Sequence, residues 1–150
     1  MSLNDTILYK YYKKAKLLKE LDAWYKSFDT NTKEFVLDLV QNKQLKDKGV
    51  DGKGEIIGTY SYATEKITKG RKQQGDHFTL EDTGYFFNSM DVEVTDALLY
   101  ITGDGKKGKD NLYSKYGDYI TTLTDENIKL LQEIIKKKYI EYVQRVLLSD

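Results

Sequence analysis

The sequence predicts an α+β domain: a small antiparallel sheet with N-terminal helices and a long C-terminal helix packed on it. Three observations predict it. Apolar residues recur at spacings of three and four through residues 4–46 and again after Thr124. Between these stretches Met90, Val92 and Val94 alternate with Asp91, Glu93 and Thr95, the period of a half-buried strand. Glycine-rich runs at 49–54 and 103–109 break the middle of the chain, and no internal repeat is found. At 150 residues the chain reads as one domain, 1–150, with an N-terminal helical region (4–46) and an α+β region (47–150).

Taken in order, Asn4 or Asp5 can cap a first helix whose apolar side is Leu8, Tyr11, Ala15, Leu18, Leu21, Tyr25 and Phe28. Its other face carries Lys10, Lys13, Lys14, Lys16 and Lys19. The capping run 29–32 separates it from a second helix, from about Lys33 to Lys46, with Phe35, Val36, Leu39, Val40 and Leu45 on its apolar side. After the 49–54 loop, Ile56, Ile57, Tyr60 and Tyr62 read as extended, and 64–76 as a basic loop or short helix that orders on assembly. A short strand is expected at 77–80. A hairpin follows, with strands around 90–95 and 97–102 and a turn at Thr95-Asp96. Residues 111–122 read as tyrosine-rich and irregular. Thr124 caps the final helix, with Asp125 and Glu126 in its first turn at the positive end of the helix dipole. Its predicted stripe is Ile128, Leu131, Ile135, Tyr139, Tyr142, Val143 and Val146.

Composition excludes several classes. No cysteine is present, so disulfides, thiolate catalysis and cysteine zinc sites are ruled out. Lysine plus arginine balances aspartate plus glutamate at 24 each, which removes the general pull toward nucleic acid and leaves self-association unopposed by charge. No stretch has the apolar length of a membrane span, and the first eight residues lack the form of a signal peptide. Thirteen tyrosines stand out, because tyrosine joins an apolar face to a polar tip and is enriched where surfaces pair.

Three short stretches resemble sites of known chemistry. The run Gly103-Asp104-Gly105-Lys106-Lys107-Gly108-Lys109 matches G-x-x-x-x-G-K, yet Asp110 stands where a magnesium-binding hydroxyl is needed and no periodic helix follows. Asp82-Thr83-Gly84 matches the aspartic protease tripeptide, with Glu81 before it and Tyr85-Phe86-Phe87 after it, but it occurs once, so that a second carboxylate would have to come from a homodimer. The plainer reading is a turn relieved by Gly84. His77 has no partner at metal-ligand spacing. No enzyme signature survives, and neither cofactor nor metal is expected.

One longer stretch is more specific by its order. Gln44-Leu45 leads to Gly49-Val50-Asp51-Gly52-Lys53-Gly54, then Ile57-Gly58-Thr59-Tyr60-Ser61 and Thr64, a basic segment with Lys66, Lys69 and Lys72, and finally Leu80-Glu81-Asp82-Thr83-Gly84-Tyr85-Phe86-Phe87-Asn88-Ser89-Met90. Downstream lies Tyr113-Ser114-Lys115-Tyr116-Gly117. This order resembles the virion-morphogenesis and tail-completion proteins of tailed bacteriophages over roughly residues 44–130. Tyr60 stands where that family usually has tryptophan, and Lys115 and Tyr116 stand where it often has histidine.

The resemblance implies a non-enzymatic α+β protein of the virion neck, synthesised in the bacterial host cytoplasm, that forms a ring with copies of itself between portal and tail. Its partners would be the portal, head-closure or tail-tube components, with sequence-independent contact to DNA in the channel as a further expectation. The interaction residues expected are Tyr60, Tyr62, Lys66, Lys69, Arg71, Lys72, Asp82, Thr83, Gly84, Tyr85, Phe86, Tyr113 and Tyr116. Two other readings compete: a nucleotide-binding protein using residues 103–109, and an adaptor whose basic first helix binds nucleic acid or membrane.

Overall fold

The computed structural model describes residues 6–16, 18, 20–95 and 98–149. The fold is α+β. It opens with α1 (Ile7–Lys16) and α2 (Glu20–Ser27), two helices where the unbroken periodicity predicts one. The turn between them brings the Leu18 N–H to the Ala15 carbonyl at 3.1 Å. No glycine or proline marks this break. Each helix packs separately on the C-terminal helix, so tertiary contact places it. The expected caps Asn4 and Asp5 lie outside the described residues.

α3 (Thr30–Asp38) begins in the predicted capping run, where Asp29 Oδ1 accepts from the Thr32 N–H at 2.9 Å. It passes directly into a π-helix, Leu39–Lys46. Buried residues there pair at a spacing of five, Leu39 with Gln44 and Val40 with Leu45, as the wider π turn requires. The following glycine loop closes through a Val50–Ile56 bridge and through Asp51, whose Oδ1 accepts the N–H groups of Lys53 and Glu55 at 2.9 and 3.1 Å. Gly49 has φ +61, and a Cβ on it would lie 2.3 Å from the His77 ring. His77 in turn donates from Nε2 to the Lys46 carbonyl at 2.8 Å. The single histidine therefore closes the end of the π-helix. Of the expected 77–80 strand, only His77 pairs, in an isolated bridge to Thr59.

The predicted hairpin forms from β1 (Asp91–Val94) and β2 (Leu99–Thr102), antiparallel, with Val92 opposite Ile101. The turn residue Asp96 and the neighbouring Ala97 lie outside the described residues. Val92 is buried with Phe28, Val36, Leu39 and Leu131, so helices cover one face while Asp91 and Glu93 point to solvent. A second core joins Val40, Leu45, Phe86, Phe87, Met90, Leu112 and Ile120. The π-helix supplies both cores, Leu39 to the first and Val40 with Leu45 to the second.

The C-terminal helix, Asp125–Leu148 (α7 once the short helices below are numbered), starts at the predicted cap: Thr124 Oγ1 accepts from the Asn127 N–H at 3.3 Å. Its 24 residues span roughly 36 Å. Leu131 packs over the sheet, and α1 and α2 both pack on this helix. The predicted stripe is buried at Leu131 and Tyr142 and half-buried at Ile135, Val143 and Val146, and the buried face departs from it at three positions. Asn127, Leu131 and Tyr142 are buried, whereas Ile128 and Tyr139 remain 39% and 44% exposed. Asn127 is held inside because its amide donates to the Leu39 carbonyl at 3.3 Å and to Gln44 Oε1 at 3.2 Å. Among the described residues no helix is long and apolar enough to cross a membrane.

Candidate functional site

The stretches singled out by the resemblance fold back on one another. Their framework is a closed loop. The Tyr60 N–H donates to the Asp76 carbonyl at 2.8 Å, and the Gly75 N–H donates to the Tyr60 carbonyl at 3.0 Å. Inside it lies α4 (Tyr62–Ile67), capped by Ser61, so Tyr62 begins a helix rather than ending an extended run. Thr68 Oγ1 donates to the Thr64 carbonyl at 2.8 Å and accepts from the Lys72 N–H at 3.2 Å, and Glu65 Oε2 accepts from the Gln74 N–H at 2.8 Å. The basic segment, expected to order on assembly, is thus pinned by its own hydrogen bonds.

That pinning sorts the cations. Lys72 turns inward, 5.2 Å from the Tyr60 ring centroid and 3.6 Å from Asp82 Oδ1. Lys66, Lys69 and Arg71 stay on the outer surface. Lys66 stacks over Tyr62 at 4.7 Å, and Arg71 Nε donates to the Thr68 carbonyl at 3.2 Å. Tyr62 is 54% exposed.

The Asp82-Thr83-Gly84 turn leads into α5 (Tyr85–Asn88). Gly84 stands at φ +79, where glycine meets no Cβ penalty, and Thr83 Oγ1 accepts from the Tyr85 N–H at 3.3 Å. Asp82 takes no part in the cap. It sits between Lys107 at 3.0 Å and Lys72 at 3.6 Å, and the hydrogen bond from Lys107 is the main cause holding its carboxyl below the usual range. A carboxylate flanked by two ammonium groups stays ionised, the opposite of the shared proton that a protease pair needs.

Lys107 reaches Asp82 from a short hairpin into which the 103–109 run folds. It carries β3 (Lys106–Lys107), paired with β4 (Asp110–Asn111). A five-residue helix follows, α6 (Leu112–Tyr116), whose first N–H groups are already taken by Asn111 Oδ1 at 2.9 and 3.3 Å. The strand–loop–helix that would aim a helix N-terminus at phosphates is missing. Residues 111–122, expected to be irregular, hold α6 and a 3-10 turn, Asp118–Thr121.

Between these parts lies a cleft of about 580 Å³. Tyr60, Lys72, Asp82, Thr83, Gly84, Tyr85, Phe86 and Tyr116 all line it. Tyr60, Phe78 and Tyr116 form an edge-to-face chain, with centroids 4.9 and 5.8 Å apart. Tyr113 lies against the Phe86 ring, 6.1 Å away, and its hydroxyl donates to the Gly103 carbonyl at 3.0 Å. Tyr85 donates to Asp104 Oδ2 at 2.7 Å, which raises the phenol pKa and lowers that of the carboxyl. Leu80, at the rim, holds φ +56, a strained conformation for a bulky side chain. Phe78, Leu80, Lys106, Lys107 and Lys115 line the cleft although sequence reasoning did not place them there. The only available signal was the lysine content of 103–109, which had pointed to a different chemistry.

The arrangement offers an aromatic floor and a lysine rim with one carboxylate held between two of those lysines. It suits docking of a polypeptide surface. Among the described residues no group of three or more His, Asp or Glu side chains is placed to hold a metal ion. No protein-family model, curated protein or solved structure matches the chain.

Proposed function

We propose that the protein is a structural component of a tailed-bacteriophage particle, a neck or tail-completion protein that assembles as a ring between portal and tail. One observation carries this reading. Of the separate stretches that resemble the family, Tyr60, Lys72 of the basic segment, Asp82-Thr83-Gly84 and Tyr116 line a single surface cleft, and Tyr113 packs against the Phe86 ring that also lines it. Such convergence is what a shared docking surface requires, and an unrelated set of short matches has no reason to produce it. The tyrosine content and the even charge suit repeated protein–protein contact. In this reading the cleft receives a neighbouring ring component, and the outward Lys66, Lys69 and Arg71 lie along channel DNA as sequence-blind phosphate contacts.

Quantitative mass spectrometry of density-purified particles tests the proposal. The chain is expected at low, fixed stoichiometry relative to the major capsid protein. Its presence in the infected-cell lysate and consistent absence from particles would rule out the structural role.

A further inference from the structure

The β1–β2 sheet has two outer edges, and its register decides which backbone groups each edge presents. The Thr95 N–H donates to the Leu98 carbonyl at 2.9 Å, so these two residues, opposite one another as the register continues, form a hydrogen-bonded pair. Such pairs alternate along an antiparallel ladder. Glu93 with Tyr100 and Asp91 with Thr102 are therefore hydrogen-bonded, and the pairs between them are not. Val92 and Val94 turn their N–H and C=O groups out from β1, and Leu99 and Ile101 turn theirs out from β2.

The two edges are not alike. On β1 the outward Val92 N–H is taken by Asp91 Oδ1 at 2.8 Å, α3 packs against the strand, and Asp91 and Glu93 add two exposed carboxylates. Charge and cover of this kind keep an edge strand from pairing. β2, Leu99-Tyr100-Ile101-Thr102, carries no charge, no proline and no bulge, and three of its four residues are β-branched or aromatic. The outward N–H and C=O groups of Leu99 and Ile101 meet no partner among the described residues. Leu99, Tyr100 and Ile101 all line an open groove of about 770 Å³, so the edge is accessible. The next outward position is Gly103, whose carbonyl already accepts from the Tyr113 hydroxyl at 3.0 Å.

We infer that β2 pairs antiparallel with β2 of a second copy, about a twofold axis at Tyr100, joining the two hairpins into one sheet. The free groups point to this occupant. In that register Leu99 of each copy stands opposite Ile101 of the other, and each such pair exchanges two hydrogen bonds. Every free group on both strands is then used, and none is left over. Tyr100 meets its own copy in the non-hydrogen-bonded pair between them, where side chains come closest and aromatic pairs are favourable. A twofold contact sets residues near the axis beside their own copies, so a charged strand would repel itself; this one is uncharged. A two-stranded sheet is also the least self-sufficient kind, and pairing doubles it. With both β1 edges blunted, the joined sheet extends no further. The contact rests on the register of this sheet and not on the role proposed for the cleft.

Sedimentation velocity and residue-resolved amide exchange of the full chain test it together. Wild type should dimerise with rising concentration. Over the same range, exchange of the Leu99 and Ile101 amides should slow, and by more than that of Tyr100 and Thr102, which are bonded to β1 in the monomer already. Tyr100 is 47% exposed, so the fold can accept a charged residue there. Tyr100→Lys and Tyr100→Asp each set like charges opposite one another and should be monomeric. Mixed in equal amounts, they set a lysine against an aspartate and should form a heterodimer. A wild type that stays monomeric into the millimolar range would overturn the inference. So would a dimer whose Leu99 and Ile101 amides exchange as fast as in the monomer, or a mixture of the two variants that stays monomeric.

Discussion

Gln44 is the side chain whose loss should be felt most widely. It is 1% exposed and ties the π-helix to the start of α7. Nε2 donates to the Thr122 carbonyl at 2.8 Å, and Oε1 accepts from the Thr124 N–H at 3.0 Å and from Asn127 Nδ2 at 3.2 Å. Gln44→Ala removes all three bonds, each worth about 1 kcal/mol net, and leaves their partners unpaired. Thr122 is exposed and Thr124 half-exposed, so water can serve those two groups and their desolvation cost sits at the low end, whereas Asn127 is buried. Adding about 1 kcal/mol for the cavity gives a loss of roughly 3–4 kcal/mol, a large share of the 5–15 kcal/mol that stabilises a typical domain. Gln44→Leu fills the space and should lose roughly 2–3 kcal/mol, separating the polar from the volume term. Guanidinium unfolding followed by the fluorescence of Trp24, the single tryptophan, measures both. A loss below about 1 kcal/mol for Gln44→Ala would refute the view that this junction holds the two cores to α7.

Three further outcomes are expected. Asp29 has its pKa lowered to about 2, first by the hydrogen bond from Lys138 and then by its bonds to Thr32. With the folded value depressed, its stabilisation is present above the unfolded pKa near 3.8 and is lost as pH falls toward 2; at 49% side-chain exposure it amounts to well under about 1 kcal/mol, visible as a melting-temperature drop over that window that is smaller in Asp29→Asn, which keeps the cap. Gly52→Ala places a Cβ 1.7 Å from Thr122 Oγ1 and 3.0 Å from the Thr122 carbonyl carbon, and thermal melts should show a loss of about 1–3 kcal/mol. Asp82→Ala with Gly84→Val breaks both cleft ion pairs and forces a β-branched residue to φ +79; on the proposed function, electron microscopy of the mutant phage should show particles without attached tails, and normal tailed particles would deny the cleft that role.

What was legible in the sequence was local. The cap at Thr124, the capping run 29–32 and the β1–β2 alternation need only neighbours to act; the first and last formed where they were expected, and the second supplies Asp29 as cap to a helix that starts three residues earlier than the expected Lys33. The π-helix left a trace that a period of 3.6 obscures: after Val40 the next buried apolar residue is Leu45, five positions on. On α7 the stripe found Leu131 and Tyr142 but not Asn127, whose partners Gln44 and Leu39 lie more than 80 residues earlier. The break near Leu18 has no local cause to be read. The cleft was half legible. Asp82-Thr83-Gly84 and the basic segment announced themselves, but no spacing rule says that Lys107 will cross to Asp82.

The same distinction bears on what the cleft can be. Several of its polar groups are engaged with one another: Asp82 with two lysines, Tyr85 with Asp104, and the N-terminus of α6 with Asn111. Small-molecule chemistry needs groups poised to change protonation or to bind charge that develops during reaction. Groups engaged with one another instead hold three distant segments in fixed relation. Rigid placement of aromatic side chains is what a docking surface needs, since side chains already ordered lose little entropy on binding. The strain at Leu80 fits that use. A bulky residue kept at φ +56 costs on the order of 1 kcal/mol, and its packing against the core of Phe86 and Leu112 keeps it there, fixing the backbone at the entrance to the Asp82 turn. Leu80→Gly therefore separates two effects. Relief of strain favours the variant, while loss of packing and of backbone restraint opposes it. A net loss of about 1–2 kcal/mol is expected in guanidinium unfolding, and a gain in stability would show that the packing of Leu80 is too weak to hold the rim.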